Sequence, residues 1–188
     1  MGDRFEAQFV PGYGADPSPE FPRDGRWRQP VYAYARDGTP VSAPNERWGA
    51  PFVILVDPGS EPPWVGMFSA GGLGGIRAAF ATPRQSDLCV VVDGLAYVVD
   101  VHSPTLAASV VADQVRQVER CSMPPRLFLA TWTGIIALGP TGLAWRQPRL
   151  ALDGLRIQGT SPYVKCQVDD LKGGIDELQI DPESGRML

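Results

Sequence analysis

From Leu88 onward, apolar residues gather in runs of strand length joined by short turn sequences. They read Leu88 to Val92, Asp93-Gly94, Leu95 to Val101; then Leu127 to Leu138, Gly139-Pro140-Thr141-Gly142, Leu143 to Trp145; then Tyr163 to Val168, Gly173-Gly174, Ile175 to Ile180. β-Branched and aromatic runs separated by residues that accept positive φ predict antiparallel hairpins. Earlier in the chain, Val31 to Ala35, Phe52 to Val56 and Trp64 to Phe68 read as further short strands. Between Ser103 and Arg120 the pattern is ambiguous. Ala107, Val111, Val115 and Val118 fall at helical spacing behind Pro104, yet the same valines suit an edge strand.

Proline changes the picture at the N-terminus. Eleven of the 19 prolines lie in the first 63 residues, where they remove backbone donors and interrupt the apolar runs. Phe21, Trp27, Tyr32, Tyr34, Trp48 and Phe52 lie in the same stretch, more aromatic surface than a disordered segment carries. The pattern therefore predicts an all-β, mainly antiparallel protein: a β-sandwich or curled open sheet of roughly eight to eleven strands with at most one or two short helices. Residues 1–188 are expected to form a single domain, with 1–63 as a Pro-rich irregular wrap packed on a β core formed by 64–188, and with 12–19 as its most mobile part.

Composition narrows the function classes. A chain of 188 residues with 44% hydrophobic content can bury a core of its own. Its net charge of −4 and scattered basic residues argue against nucleic acid as a partner. No run approaches the roughly 20 apolar residues of a membrane helix, and the acidic start does not read as a signal peptide. Three cysteines without a C-x-x-C pair fit a reducing compartment, so a cytoplasmic location is expected. Cys89 and Cys166 sit within apolar strands, which leaves Cys121, beside Arg120, as the expected exposed thiol.

Motifs with chemistry are sparse. The cluster Gly71-Gly72-Leu73-Gly74-Gly75 lacks the spacing of a dinucleotide or P-loop signature and reads as a loop or sheet corner. No cofactor or metal is expected, because His102 is the only histidine and the acidic pairs lack the order of a calcium loop. If any residues are catalytic, they are Asp100 and His102, which share one face of a strand end next to Ser103. Residues Asp169, Asp170, Asp176 and Glu177 form an acidic rim, within a segment from Leu150 that holds seven acids against four bases. With Trp48 and Trp64, aromatics beside Pro-rich loops, they are the expected contacts to another protein.

The stretch from Trp132 to Trp145 resembles one blade of a quinoprotein-like β-propeller. At roughly 40 to 50 residues per blade, however, the chain after residue 63 cannot supply the roughly four blades a ring needs. From Gly142-Leu143-Ala144-Trp145 through Arg149-Leu150-Ala151-Leu152-Asp153-Gly154-Leu155, with the closing Asp181-Pro182-Glu183-Ser184-Gly185, the C-terminal half is similar to a group of uncharacterised bacterial all-β proteins. That resemblance implies a shared β architecture and no activity. Three readings of function follow: a non-catalytic binding protein, of the inhibitor or immunity type; a small hydrolase-like enzyme using His102 and nearby carboxylates; or a subunit of a larger assembly.

Overall fold

In the computed structural model, which describes residues 3–17, 19–169 and 174–188, buried and more open side chains alternate along strands such as Phe52–Asp57 and Val164–Asp169, while others such as Asp87–Val92 are buried throughout. The chain divides into two compact units, Met1–Ala81 with Gln85–Asp113 and Thr82–Arg84 with Gln114–Leu188. Seventeen strands are present among the described residues, more than the number expected, because the Pro-rich region forms several strands of two to four residues. Its sole helical element is a 3-10 turn at Glu46–Trp48.

The first unit contains β1 (Arg4–Glu6), β2 (Gly14–Asp16), β3 (Val31–Tyr34), β4 (Pro40–Val41), β5 (Phe52–Asp57), β6 (Trp64–Phe68), β7 (Arg77–Ala81), β8 (Asp87–Val92), β9 (Leu95–Asp100) and β10 (Ser109–Ala112). Two five-stranded sheets result, ordered β1-β7-β8-β9-β10 and β2-β5-β6-β3-β4. They share one apolar cluster in which Tyr34, Phe52, Ile54 and Phe68 meet Leu88, Val90, Val92 and Tyr97. Alternation explains the choice: in β5, Phe52, Ile54 and Val56 are buried while Val53 and Leu55 are half-buried. The first 63 residues, expected to form a wrap, thus supply five strands and several of the largest core side chains. The segment expected to be mobile is pinned at Tyr13, whose hydroxyl donates to the Asp87 carbonyl at 2.9 Å.

Turn chemistry sets the β8–β9 hairpin. Asp93 and Gly94 both have positive φ (48° and 92°), the geometry that matches strand twist in a two-residue turn. Gly71 and Leu73 dock on this hairpin through N–H bonds to the Val92 and Asp93 carbonyls. A Cβ on Gly71 would collide with the Asp93 carbonyl. The glycine cluster therefore lets two backbones approach, as a sheet corner requires.

The second unit contains β11 (Gln117–Ser122), β12 (Pro125–Ala130), β13 (Ile135–Gly139), β14 (Gly142–Gln147), β15 (Arg156–Gly159), β16 (Val164–Asp169) and β17 (Ile175–Ile180). These form sheets β11-β12-β13-β14 and β15-β16-β17 around a cluster of Phe128, Ala130 and Ile135 with Ile157, Val164 and Ile180. Two expectations change here. The ambiguous 103–120 stretch contains β10 and β11 and no helix. The run from Leu127 to Leu138 is two strands rather than one. It folds back at Thr131, whose Oγ1 accepts from the Gly134 N–H at 3.0 Å, and Gly134 has no room for a side chain against the Gln147 carbonyl.

The residues that carry the resemblance of the C-terminal half come together. Trp145 Nε1 donates to the Pro182 carbonyl at 3.1 Å, and its ring covers Gly185, where a Cβ would lie 2.6 Å from Trp145 Cδ2. Asp181 closes that turn by accepting from Ser184 Oγ at 2.7 Å. Gly154 similarly leaves no Cβ space against the Asp169 carboxylate. These residues act as packing and turn elements.

Candidate functional site

His102 lies at the end of the β9 segment, where the chain turns through Ser103 and Pro104. The Asp100 carboxylate, expected to face the imidazole, instead accepts the His102 backbone N–H at 3.0 Å. The imidazole has a different carboxylate beside it. Its Nδ1 lies 3.4 Å from Glu61 Oε1, with both side chains partly open to solvent (37% and 46%). Glu61 belongs to the turn between β5 and β6, within Asp57-Pro58-Gly59-Ser60-Glu61-Pro62-Pro63. Sequence reasoning missed it because no local signal joins residue 61 to residue 102.

The pair stands on a cleft of about 410 Å³ whose walls include Tyr32, Pro62, Trp64, Pro104 and Leu106. Two hydrogen bonds, one buried and one partly buried, hold these walls. Trp64 Nε1 donates to the Val101 carbonyl at 3.0 Å, and Tyr34 Oη donates to the Pro104 carbonyl at 2.6 Å. Tyr32 meets Trp64 edge to face, with centroids 5.8 Å apart. Burial and neighbouring Tyr32 push the Tyr34 phenol well above its ordinary pKa, so its hydroxyl stays a donor. Trp64, expected as a contact to another protein, is 2% exposed and serves as a wall of the cleft.

Trp48 does protrude: it is 47% exposed at the end of the 3-10 turn. Two guanidinium groups lie against its ring, with the Arg36 and Arg47 carbons 4.7 and 5.4 Å from the ring centroid. Below it is Gly72, where a Cβ would sit 3.0 Å from Trp48 Cε3. Arg36 is anchored by donating to the Gly71 carbonyl at 2.9 Å. Arg47 precedes Trp48 directly in the sequence, whereas Arg36 is brought to it by the fold.

In the acidic rim, Asp169, Asp176 and Glu177 are exposed on the β16–β17 hairpin, and Asp170 lies outside the described residues, as does Gly173 of the expected turn. The cysteines differ from expectation at one position. Cys121 is 2% exposed, because it alternates inward on β11, and its Sγ contacts the Met123 carbonyl. Cys89 and Cys166 are buried as well; burial, with the Asp87 charge, pushes the Cys89 thiol up to about 12, and burial raises Cys166 to about 11. Neither is a thiolate near neutral pH.

Among the described residues no group of three His, Cys, Asp or Glu side chains is placed to hold a metal ion. No described helix is long and apolar enough to cross a membrane. No protein family, curated protein or solved structure matches this chain.

Proposed function

We propose that this protein is a non-catalytic recognition protein, of the inhibitor or immunity type, that acts on another protein in the cytoplasm. The observation that carries the reading is Trp48, an exposed ring with the Arg36 and Arg47 guanidinium groups against it and Gly72 beside it. Tryptophan and arginine dominate the energetics of protein interfaces, and a ring already held in place loses little freedom on binding. Kinship of the C-terminal half with the uncharacterised bacterial all-β group is proposed with it, on the Trp145, Asp153-Gly154 and Asp181-Gly185 pattern.

Affinity capture from the native cell, run in parallel with wild type and Trp48→Ala, tests this reading. One or a few proteins retained by wild type should be depleted about tenfold by the substitution. Identical retained sets, or none from either bait, would sink it.

A second reading, a hydrolase-like enzyme, is favoured by one observation: Glu61 on His102 Nδ1 leaves Nε2 for a cleft that Ser103 and Thr105 also line. Turnover of a small aryl ester that His102→Gln abolishes would support it; equal rates for both proteins would remove it.

A further inference from the structure

The His102 cleft carries an inference that does not depend on Trp48 or on turnover. Its volume of about 410 Å³ is that of a small-molecule site, far below what a folded partner needs. Its walls are prolines and aromatics: Pro30, Tyr32, Pro62, Trp64 and Pro104. Such walls bind an apolar body and, being rigid, lose little entropy in doing so. Hydrogen bonds to the Val101 and Pro104 carbonyls hold the loop that forms one side before any ligand arrives.

Charge decides which apolar body fits. Glu61 is the one acid among the lining residues, and no lysine or arginine lines the cleft. Its carboxylate has roughly four acceptor sites, and the partner it has among them is His102 Nδ1 at 3.4 Å. An ammonium group can therefore bond the carboxylate without displacing a stronger cation. Tyr32, edge to face with Trp64 at 5.8 Å, adds an aromatic wall, and the negative face of such a ring favours a cation over an anion.

We infer that the cleft between Glu61, His102 and Tyr32 is a binding site for a small organic ammonium ion carried on an apolar or aryl body. The carboxylate takes the charge, and the prolines and Tyr32 take the body. His102 orients the carboxylate.

The single histidine makes the test direct, since His102 contributes the only imidazole signals in a proton spectrum of the whole chain. Three probes of nearly equal shape separate the contributions: 2-phenylethylammonium, 2-phenylethanol and phenylacetate. The amine should shift the His102 signals saturably, with a dissociation constant in the millimolar range or below. The alcohol and the acid should bind about tenfold more weakly. Glu61→Gln should reduce the amine to the level of the alcohol, with the remaining amide spectrum unchanged as the check on folding. Nα-acetyl-lysine amide, which has the charge without the ring, should bind more weakly than the aryl amine. The inference is overturned if the amine leaves His102 unmoved, if Glu61→Gln changes nothing, or if phenylacetate binds best. Equal binding of the lysine derivative would also overturn it and assign the cleft to a side chain of a protein partner.

Discussion

In the first unit, β1 runs parallel to β7 and β3 parallel to β6, so segments far apart in sequence lie side by side. In the second unit every strand pair is antiparallel, and each sheet keeps the order of the sequence. Alternation of buried and more open residues occurs in both, in β5 of the first and β16 of the second. What differs is how register is imposed. Hairpin turns do it locally in the second unit and for pairs such as β8–β9 in the first, whereas the parallel pairs of the first unit have no hairpin turn between them.

One long-range side chain in each unit makes the comparison concrete. Arg77 donates to the Asp3 and Asp93 carboxylates at 3.0 and 2.9 Å and to the Ala50 and Pro51 carbonyls at 3.0 and 3.1 Å. It therefore ties the N-terminal strand, the start of β5 and the β8–β9 turn to one point. In the second unit Gln117 acts as a substitute strand partner for β15. Its Nε2 donates to the Ile157 carbonyl at 2.9 Å while its Oε1 accepts the Ile157 N–H at 2.9 Å, joining β11 to β15.

The largest effects should come from the two cores. Phe68 stacks on Tyr34 at 4.9 Å and packs against Tyr97, and Phe128 packs against Trp145 at 5.6 Å. Phe68→Ala and Phe128→Ala should each cost about 3–5 kcal/mol. If residues 1–188 form the proposed single domain, calorimetry will show one transition, which either substitution lowers by roughly 10 °C. Two transitions, each responding to its own substitution alone, would show that the units are separate domains.

Smaller losses should follow at the cross-links. Arg77→Ala should cost about 2 kcal/mol in urea unfolding, and Gln117→Ala about 1–2 kcal/mol, because each leaves partly buried backbone groups without partners. Arg77→Lys should recover little, since an ammonium cannot span the same set of acceptors. A neutral Arg77→Ala would remove the basis for calling the first unit pinned from a distance.

Thiol chemistry gives a kinetic version of the comparison. Cys89 in the first unit and Cys121 and Cys166 in the second are all buried and free. Alkylation of the native protein near neutral pH should be slow at all three and rapid at all three in urea, as counted by mass spectrometry. Fast native labelling confined to Cys121 and Cys166 would show that the hairpin unit opens locally.

The smallest effect concerns two exposed carboxylates, one per unit. The Thr39 hydroxyl and N–H hold the Asp37 carboxyl below its ordinary value of 3.8, and Ser184 Oγ and the Glu183 N–H do the same for Asp181. A lowered folded pKa means that each contributes stability above its unfolded pKa and loses it as pH falls through the lower folded value. Carbon-detected titration should show both midpoints below 3.8, and Thr39→Ala or Ser184→Ala should return only the matching one toward that value.

The β8–β9 hairpin was legible because Asp93-Gly94 names its own turn, and the β16–β17 pair because Val164, Cys166 and Val168 alternate inward with Lys165 and Asp169 outward. The run from Leu127 to Leu138 was misread since Thr131, Thr133 and Gly134 are a short break, with Trp132 inside it, between two continuous apolar runs whose periodicity does not mark the reversal. Trp48 could be singled out as an aromatic beside proline. Its exposure, and the burial of Trp64, could not, because both tryptophans have the same kind of neighbours in the chain.

Local chemistry thus determined that this protein is built of strands, where most of its tight turns fall and which side chains alternate inward, since these depend on residues within a few positions of one another. Only the tertiary structure decided that β3 lies against β6, that Arg36 reaches Trp48 and that Glu61 meets His102. Such contacts depend on how sheets stack and which loops end on the same side, and no short window of sequence contains that information.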